Sequence, residues 1–279
     1  MRDGRHGRWR HTPAALLCIV VGVAAAGLGV VIGDRPDGRL RVEVLAAGDG
    51  VAVLVRAPDG ALALIDTGGD PAALAASLGA ALPTATHTLD LLVLTGGTRG
   101  EAGGLADLGR HVEVAAAVSP VAEVGVTARQ GLARLGASGT LLTVIPPGTA
   151  WSWHGLALAL RALPPDTTGL RTPPVAVLEL EAPGGRVLVL GAAGIAQEEE
   201  LAATAAAALR SDLLVTPAGG AVPSALLAAV RPRAVAVPGS HPPRVAALRA
   251  LAAGTRVRST AAAGTLVYVG DGATPLGEG

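Results

Sequence analysis

Lysine, asparagine and phenylalanine are absent from this sequence of 279 residues, and only 1% of its residues are aromatic. Codons rich in A and T encode all three missing residues, so a GC-rich genome explains their absence without a structural reason. The hydrophobic core must therefore consist mainly of leucine, valine and alanine, which bury less apolar surface per residue than aromatic side chains do. The few aromatic residues are Trp9, Trp151, Trp153 and Tyr268.

Charge of either sign is not in excess. The 22 basic residues are all arginine and 22 residues are acidic, so the formal net charge is zero. Domains that bind nucleic acid are usually basic, so the net charge gives no support for a DNA partner.

The single cysteine, Cys18, excludes an intrachain disulfide. Leu17 before it is not the small residue of a lipid-attachment site, and Cys18 is expected inside a membrane helix.

The clearest physical signal in the chain is Pro13–Gly33, an uncharged apolar run of about the length that spans a bilayer core. Several arginines precede it, so the positive-inside rule places the N-terminus in the cytoplasm and the following chain outside. The sequence predicts a single-pass protein of the cell membrane with an extracytoplasmic domain. The alternative is a secreted protein whose signal is cleaved near Ala24–Ala26. The predicted parts are a basic cytoplasmic tail (1–12), a transmembrane helix (13–33), a linker (34–39), one domain (40–272) and a C-terminal tail (273–279).

Short strands and tight turns open the predicted domain. Leu40–Leu45, Val51–Ala57 and Ala61–Asp66 have the length and apolar content of strands, and glycine-containing turns join them. Pro71–Leu82 is predicted to be a helix, with Asp70 as its N-cap and a proline in its first turn. These patterns predict a three-stranded meander followed by a helix.

The stretch Leu89–Leu105 organises the rest of the chain. It starts as a short apolar strand, continues into a polar, glycine-rich turn at Thr95–Gly100, and resumes as an alanine-rich segment that can open a helix. In α/β proteins the chemistry usually lies in turns at the carboxyl ends of inner strands, so this turn is the predicted site. The later predictions include one strand over Trp153–Leu163, a helix over Pro242–Leu251, and a closing hairpin of Thr255–Ser259 with Thr265–Val269.

The order of these turns resembles the metallo-β-lactamase fold, in the version found in the C-terminal domain of the ComEC competence (DNA-uptake) family. The shared letters are Pro58-Asp59-Gly60, Ile65-Asp66-Thr67-Gly68, Thr95 and the pair Gly103–Gly104. The resemblance covers residues 40–272 and implies an α+β protein, an αββα sandwich of two sheets between two layers of helices. It also implies a pair of zinc or manganese ions, which would activate a hydroxide for hydrolysis.

The positions at which that family holds its metals carry other residues here. The resemblance implies histidine or aspartate at each of six positions, which are Gly96, Thr98, Gly100, Glu101, Ala192 and Ala218. Glycine and alanine provide no side-chain donor, whereas a zinc ion takes about four ligands, mostly histidine, cysteine and carboxylate. We therefore expect a degenerate motif, no metal cofactor and no catalysis by the family's mechanism.

A few polar residues remain near the predicted mouth of the site: Asp66, Glu101, Asp49 and His241. One interpretation makes them a weak single-metal site, or makes Glu101 and His241 a general acid–base pair. The other interpretation regards them as solvated loop residues that remain after loss of the metal. The loss of ligands at several positions together favours the second interpretation.

Two functions of different classes are consistent with this sequence. The first is a non-catalytic binding domain, anchored in the membrane by Pro13–Gly33, that acts in DNA uptake or in assembly with an envelope protein. The second is a metal-dependent hydrolase, such as a phosphodiesterase or nuclease, with a non-standard metal site. The ligand positions favour the first function, and the balanced charge argues against strong electrostatic binding to DNA.

Overall fold

The computed structural model describes residues 36–83, 86–120, 125–163, 176–242, 255–270 and 276–278. Asp37–Gly279 form one compact unit. The predicted basic tail, the predicted transmembrane helix and nearly all of the predicted helix Pro242–Leu251 lie outside the described residues. Within the described ranges, no helix is both long and apolar enough to cross a membrane.

The first of two sheets contains eight strands, which are β1 (Arg41–Val44), β2 (Val53–Arg56), β3 (Leu62–Ile65), β4 (Thr88–Val93), β5 (Glu113–Ser119), β6 (Leu141–Val144), β14 (Leu266–Val269) and β15 (Gly277–Glu278). Their order in the sheet is β15-β14-β1-β2-β3-β4-β5-β6. The strands β1 to β3 form the predicted antiparallel meander. From β3 to β6 the strands are parallel, so their carboxyl ends share one edge.

The second sheet contains seven strands, which are β7 (Ala150–Trp153), β8 (Leu156–Ala162), β9 (Ala176–Ala182), β10 (Gly185–Val189), β11 (Leu213–Val215), β12 (Ala234–Val237) and β13 (Arg256–Ser259). Their order is β13-β12-β11-β10-β9-β8-β7. The strands β10 to β13 are parallel, whereas β7 to β10 are antiparallel. Both sheets are therefore mixed.

Seven helices are described, which are α1 (Pro71–Ala81), α2 (Arg99–Ala102), α3 (Leu105–His111), α4 (Val126–Ala137), α5 (Ile195–Ala205), α6 (Ser224–Val230) and α7 (Thr260–Ala263). Helices α1, α3 and α4 pack on the first sheet through one apolar cluster, and α5 and α6 pack on the second through another. Asp70 Oδ1 accepts hydrogen bonds from Ala72 N and Ala73 N at the start of α1. The predicted N-cap is therefore confirmed.

A third apolar cluster lies between the two sheets and contains side chains from both. Val53 and Val55 of β2 belong to this cluster, whereas Leu54 belongs to the cluster beneath the helices. Successive side chains of a strand point to opposite faces of the sheet, so strands buried on both faces need continuous apolar sequences. The layers are helix, sheet, sheet and helix, which confirms the predicted αββα sandwich.

Two predicted connections are wrong. Trp153–Leu163 is not one strand, because the chain reverses at His154 and Gly155, which have φ of 47° and 77°, and forms the hairpin β7–β8. The predicted closing hairpin does not exist either, because β13 pairs with β12 in the second sheet and β14 pairs with β1 in the first. The short helix α7 and Gly264 carry the chain from one sheet to the other. Gly277–Glu278, within the predicted C-terminal tail, pair with β14.

Candidate functional site

The turn after β4 lies against the turn after β10, at the edge formed by the carboxyl ends of the parallel strands. Ala176 N, from the second sheet, donates to Thr95 O at 2.7 Å, and a Cβ added at Gly191 would collide with the Thr95 side chain. In the neighbouring turns, Gly219 N donates to Pro238 O at 3.1 Å. The turns that carry the predicted site residues therefore gather at one edge of the sandwich, where α/β sheets usually bind ligands.

The glycine pair Gly103–Gly104 allows close backbone packing beside this turn. A Cβ at Gly103 would lie 2.6 Å from Arg99 O, and a Cβ at Gly104 would collide with Thr67 O. Gly104 N donates to Gly68 O at 3.1 Å. The pair that resembles the family's Gly-Gly thus has a packing role here that does not depend on a metal.

Asp66 is fully buried directly after β3, in a left-handed conformation with φ of 55°. Its carboxylate oxygens accept hydrogen bonds from Thr95 N at 2.8 Å and from Thr95 Oγ1 at 2.5 Å. Burial raises the pKa of Asp66 well above its usual value, and the nearby Glu101 carboxylate raises it further, while the Thr95 hydrogen bonds lower it. Asp66 therefore joins the end of β3 to the turn after β4. The raised pKa favours the protonated, neutral form of its carboxyl group.

Glu101 is also buried, at 1% exposure, and caps its own helix. Its Oε2 accepts from Thr98 N at 2.8 Å, while Thr98 Oγ1 accepts from Gly100 N at 3.3 Å. This reciprocal arrangement is a capping box. The other carboxylate oxygen, Oε1, is buried and has no hydrogen-bond partner among the described residues. Burial raises the pKa of Glu101, against the hydrogen bonds from Thr98, which lower it.

The Glu101 side chain occupies the space beside Gly96. A Cβ added at Gly96 would lie 2.8 Å from Glu101 Oε2 and 3.0 Å from its Cδ. Both distances are shorter than ordinary van der Waals contact allows. Gly96 stands where the resemblance implies the first metal-binding histidine, so Glu101 fills the place that a side chain at this position would need. The residues present do not fit the family's pair of metal ions.

The remaining family ligand positions supply no cluster of donors. Thr98 uses its hydroxyl to cap α2, and the carbonyl of Gly100 accepts from Val51 N at 3.0 Å. Ala192 and Ala218 have apolar side chains. Across the part of the chain that the structure describes, no group of three or more histidine, cysteine, aspartate or glutamate residues is arranged to hold a metal ion.

Asp49 and His241 meet at the rim of the site, joined by Ser240. Asp49 Oδ1 accepts from Ser240 N at 3.0 Å and from Ser240 Oγ at 2.5 Å, and it lies 3.3 Å from His241 Nδ1. These hydrogen bonds, those from Ser240 first, lower the pKa of Asp49 to about 2. All three residues are exposed, so the cluster is a solvated bridge between the β1–β2 turn and the turn after β12.

Glu101 and His241 have different partners. His241 bonds with Asp49 and Ser240, while Glu101 bonds with Thr98. The side chain of His241 is 79% exposed, whereas Glu101 is buried, and no hydrogen bond among the described residues joins the two. The structure instead brings Glu101 close to Asp66, whose pKa its charge affects.

Two contributions to the site were missed by sequence reasoning. The capping role of Glu101 had a local signal, since Thr98-Arg99-Gly100-Glu101 fits the pattern S/T-x-x-E of a capping box. Ser240 had no such signal, because its partner Asp49 lies 191 residues away in the chain.

Solved structures show which fold this chain has. No protein-family model and no curated protein matches the sequence. The metallo-β-lactamase fold protein YhfI from Bacillus subtilis superposes with a TM-score of 0.59 over 82% of this chain and 99% of its own, at 10% identity. A diphosphatase from the PhnP family superposes with a TM-score of 0.51 over 83% of this chain and 98% of its own, at 14% identity. The chain therefore has the metallo-β-lactamase fold, and at these identities the likeness establishes nothing beyond the fold.

Proposed function

We propose that this protein is a non-catalytic relative of the metallo-β-lactamase-fold hydrolases and acts by binding a partner. The observation that carries the proposal is the position of Glu101, whose carboxyl fills the space beside Gly96. A metal ion at this edge would need donors from the turn after β4. Here that turn contains Gly96, which has no side-chain donor, and Thr98 and Glu101, whose oxygens cap helix α2.

The polar groups that remain at the site serve the packing of the domain. Asp66 joins β3 to the turn after β4 through Thr95, and Glu101 caps α2. At the rim, Asp49 is engaged by Ser240. Asp66 and Glu101 lie close to each other, but no third histidine, cysteine or acidic residue of the described chain joins them in a group that could hold a metal ion, which supports binding over metal-dependent hydrolysis.

The proposed place of action is the cell envelope. Pro13–Gly33 supports a single membrane anchor, with residues 1–12 in the cytoplasm and the domain outside, or a signal cleaved near Ala24–Ala26 that exports the same domain. The ComEC resemblance supports a role in DNA uptake. The zero net charge does not favour DNA as the direct ligand, so the proposed partner is an envelope protein.

Metal content tests the absence of catalysis. Purified full-length protein is exposed to zinc and to manganese, dialysed, and analysed for bound metal and for cooperative unfolding. We expect no stoichiometric metal in a protein that unfolds cooperatively. Retention of one or more ions per chain would contradict the proposal and support the alternative, a phosphodiesterase or nuclease with a non-standard metal site. Asp49→Ala and Glu101→Ala variants would then show whether the rim or the buried pair holds the ion.

A further inference from the structure

A groove lined by arginines lies at the end of the second sheet opposite to the candidate site. One part of it has a volume of about 360 Å³ and the adjoining part about 280 Å³. Arg186, Arg210 and Ser211 line both parts, so the two form one continuous surface, which we call the arginine groove. Its arginines are Arg161, Arg186, Arg210, Arg231 and Arg233.

The strand directions separate this groove from the candidate site. Arg186 lies at the start of β10, Arg210 precedes β11, and Arg231 and Arg233 precede β12. Because β10, β11 and β12 are parallel, their amino ends share one edge of the sheet. The turns around Glu101 follow carboxyl ends, so the arginine groove is a separate surface of the domain.

Each acid in the groove is already paired with an arginine. The pairs are Arg161–Glu179, Arg186–Glu181 at 2.6 Å and Arg233–Asp212 at 3.6 Å. Two other arginines have no acidic partner within the described residues. Arg210 makes no ion pair there, and Arg231 Nε donates to the carbonyl of Ala228 at 3.3 Å. Among the described residues, two positive charges beside the groove are therefore left without an acidic partner.

The backbone of Arg231 supports a role for its side chain. Arg231 ends α6 with φ of 50°, in the left-handed conformation that glycine usually adopts at the end of a helix. A residue with a Cβ is strained in this conformation, whereas glycine is not. Glycine at position 231 would remove this backbone strain, but the chain has arginine there. Backbone strain of this kind is concentrated at functional sites.

We propose that the arginine groove binds a small ligand that carries a phosphate group. A guanidinium stays charged and its planar fork matches two oxygens of a phosphate. The volume of the groove suits a small ligand, since such pockets measure about 300–1,000 Å³. Charge is also segregated along the chain, because residues 210–258 contain seven arginines and one acid, whereas residues 37–120 contain ten acids and five arginines.

Calorimetric titration of the full-length protein tests this proposal, with inorganic pyrophosphate as one probe and glycerophosphoglycerol, the soluble headgroup of phosphatidylglycerol, as the other. We expect saturable binding that Arg210→Ala and Arg231→Gly each weaken by about tenfold. Because Arg231→Gly relieves backbone strain, its thermal unfolding temperature should not fall, so lost binding is distinguished from lost folding. The matched control is Arg110→Ala, an exposed arginine of α3 that pairs with Asp107 and should leave binding unchanged.

The two probes separate the sources of the phosphate group. Loss of pyrophosphate binding in the groove variants would identify a free phosphorylated ligand, and loss confined to glycerophosphoglycerol would identify a lipid headgroup. The proposal is overturned if neither probe binds saturably, if both groove variants bind like the unchanged protein, or if Arg110→Ala weakens binding as much as they do.

Discussion

At the scale of single residues, Gly96 and Glu101 compete for one space in the candidate site. A Cβ at Gly96 would lie 2.8 Å from Glu101 Oε2. We predict that Gly96→Ala lowers the free energy of unfolding by about 1–3 kcal/mol, the usual effect of overpacking. In a Glu101→Ala background the same substitution should have little effect, because the obstructing carboxyl is gone. Denaturant unfolding of both single variants and the double variant measures this coupling.

Gly79→Ala is the matched control for Gly96→Ala. Gly79 lies on the exposed side of α1, and a Cβ there would have nothing within 4 Å. The substitution should raise the free energy of unfolding by about 0.5–1 kcal/mol, because glycine is unfavourable inside a helix. If Gly96→Ala were equally destabilising with and without the Glu101 carboxyl, the filled-space interpretation of the site would fail.

Glu198 is a second buried acid, on α5, outside the candidate site. It is 0% exposed, and within the part of the chain that the structure describes neither of its carboxylate oxygens has a hydrogen-bond partner. Burial raises its pKa from 4.5 to about 8, so the folded protein binds a proton that the unfolded chain releases. The stability that this proton contributes is complete below the unfolded pKa and is lost as the pH rises through the folded pKa.

We predict that Glu198→Gln flattens this pH dependence, since the amide carries no charge. At about pH 9 the variant should be more stable than the unchanged protein by on the order of 3 kcal/mol, and at about pH 4 the two should differ little. Denaturant unfolding at both pH values measures the difference. Glu199→Gln changes the exposed neighbour on the same helix and should leave the pH profile as it is. A steep profile that persists in Glu198→Gln would assign the effect to another group.

How much of the site the sequence predicts depends on the range of each contact. The Thr98–Glu101 capping box was predictable, because both partners lie within one helical turn. The contact between Glu101 and Gly96 was not, since it depends on how the turn folds back over the helix. The bond between Asp49 and Ser240 joins two turns 191 residues apart, and only the packing of the two sheets brings them together.

At the scale of elements, strands buried on both faces were the easiest to predict. Their continuous apolar runs, as in β3, leave little choice of structure. The hairpin β7–β8 was missed although Gly155 marks its turn, because the other left-handed position of the turn is taken by His154, a residue that seldom adopts this conformation. The division of β13 and β14 between two sheets was missed for another reason, since a turn in the sequence does not specify which sheet receives the next strand.

The bridge from Asp49 to Ser240 also acts between elements, because it links the β1–β2 turn to the turn after β12. We predict that Asp49→Ala increases amide exchange at Ser240, whose N–H loses its acceptor at 3.0 Å. The free energy of unfolding should change by less than about 1 kcal/mol, since the bridge is exposed. Hydrogen exchange of peptides that contain Ser240 measures the effect. Asp59→Ala removes an exposed carboxylate bonded to His154 and should leave that exchange unchanged, whereas slow exchange in Asp49→Ala would show that other contacts order the turn.

At the scale of the whole molecule, the zero net charge conceals an uneven distribution. The segment 37–120, in the first sheet and its helices, has ten acids and five arginines, whereas residues 210–258 have seven arginines and one acid. A net charge near zero argues against indiscriminate attraction to polyanions such as DNA. The proposed binding of one small anion is a different matter, because it depends on the few arginines that lack an acidic partner among the described residues and not on the sum of all charges.

The sequence also predicts where in the cell the protein lies, because the charged residues 1–12 are followed by the apolar run Pro13–Gly33. We predict that the full-length protein stays in the membrane fraction after an alkaline carbonate wash, since a run of this length spans the bilayer core. Protease added outside the cytoplasmic membrane should degrade the domain and spare a tag on residues 1–12. Replacing the arginines before the run with glutamine should reduce the fraction in this orientation, because the positive-inside rule predicts that those charges keep the N-terminus in the cytoplasm. A soluble chain that begins near Ala26 would instead establish that the run is a cleaved signal.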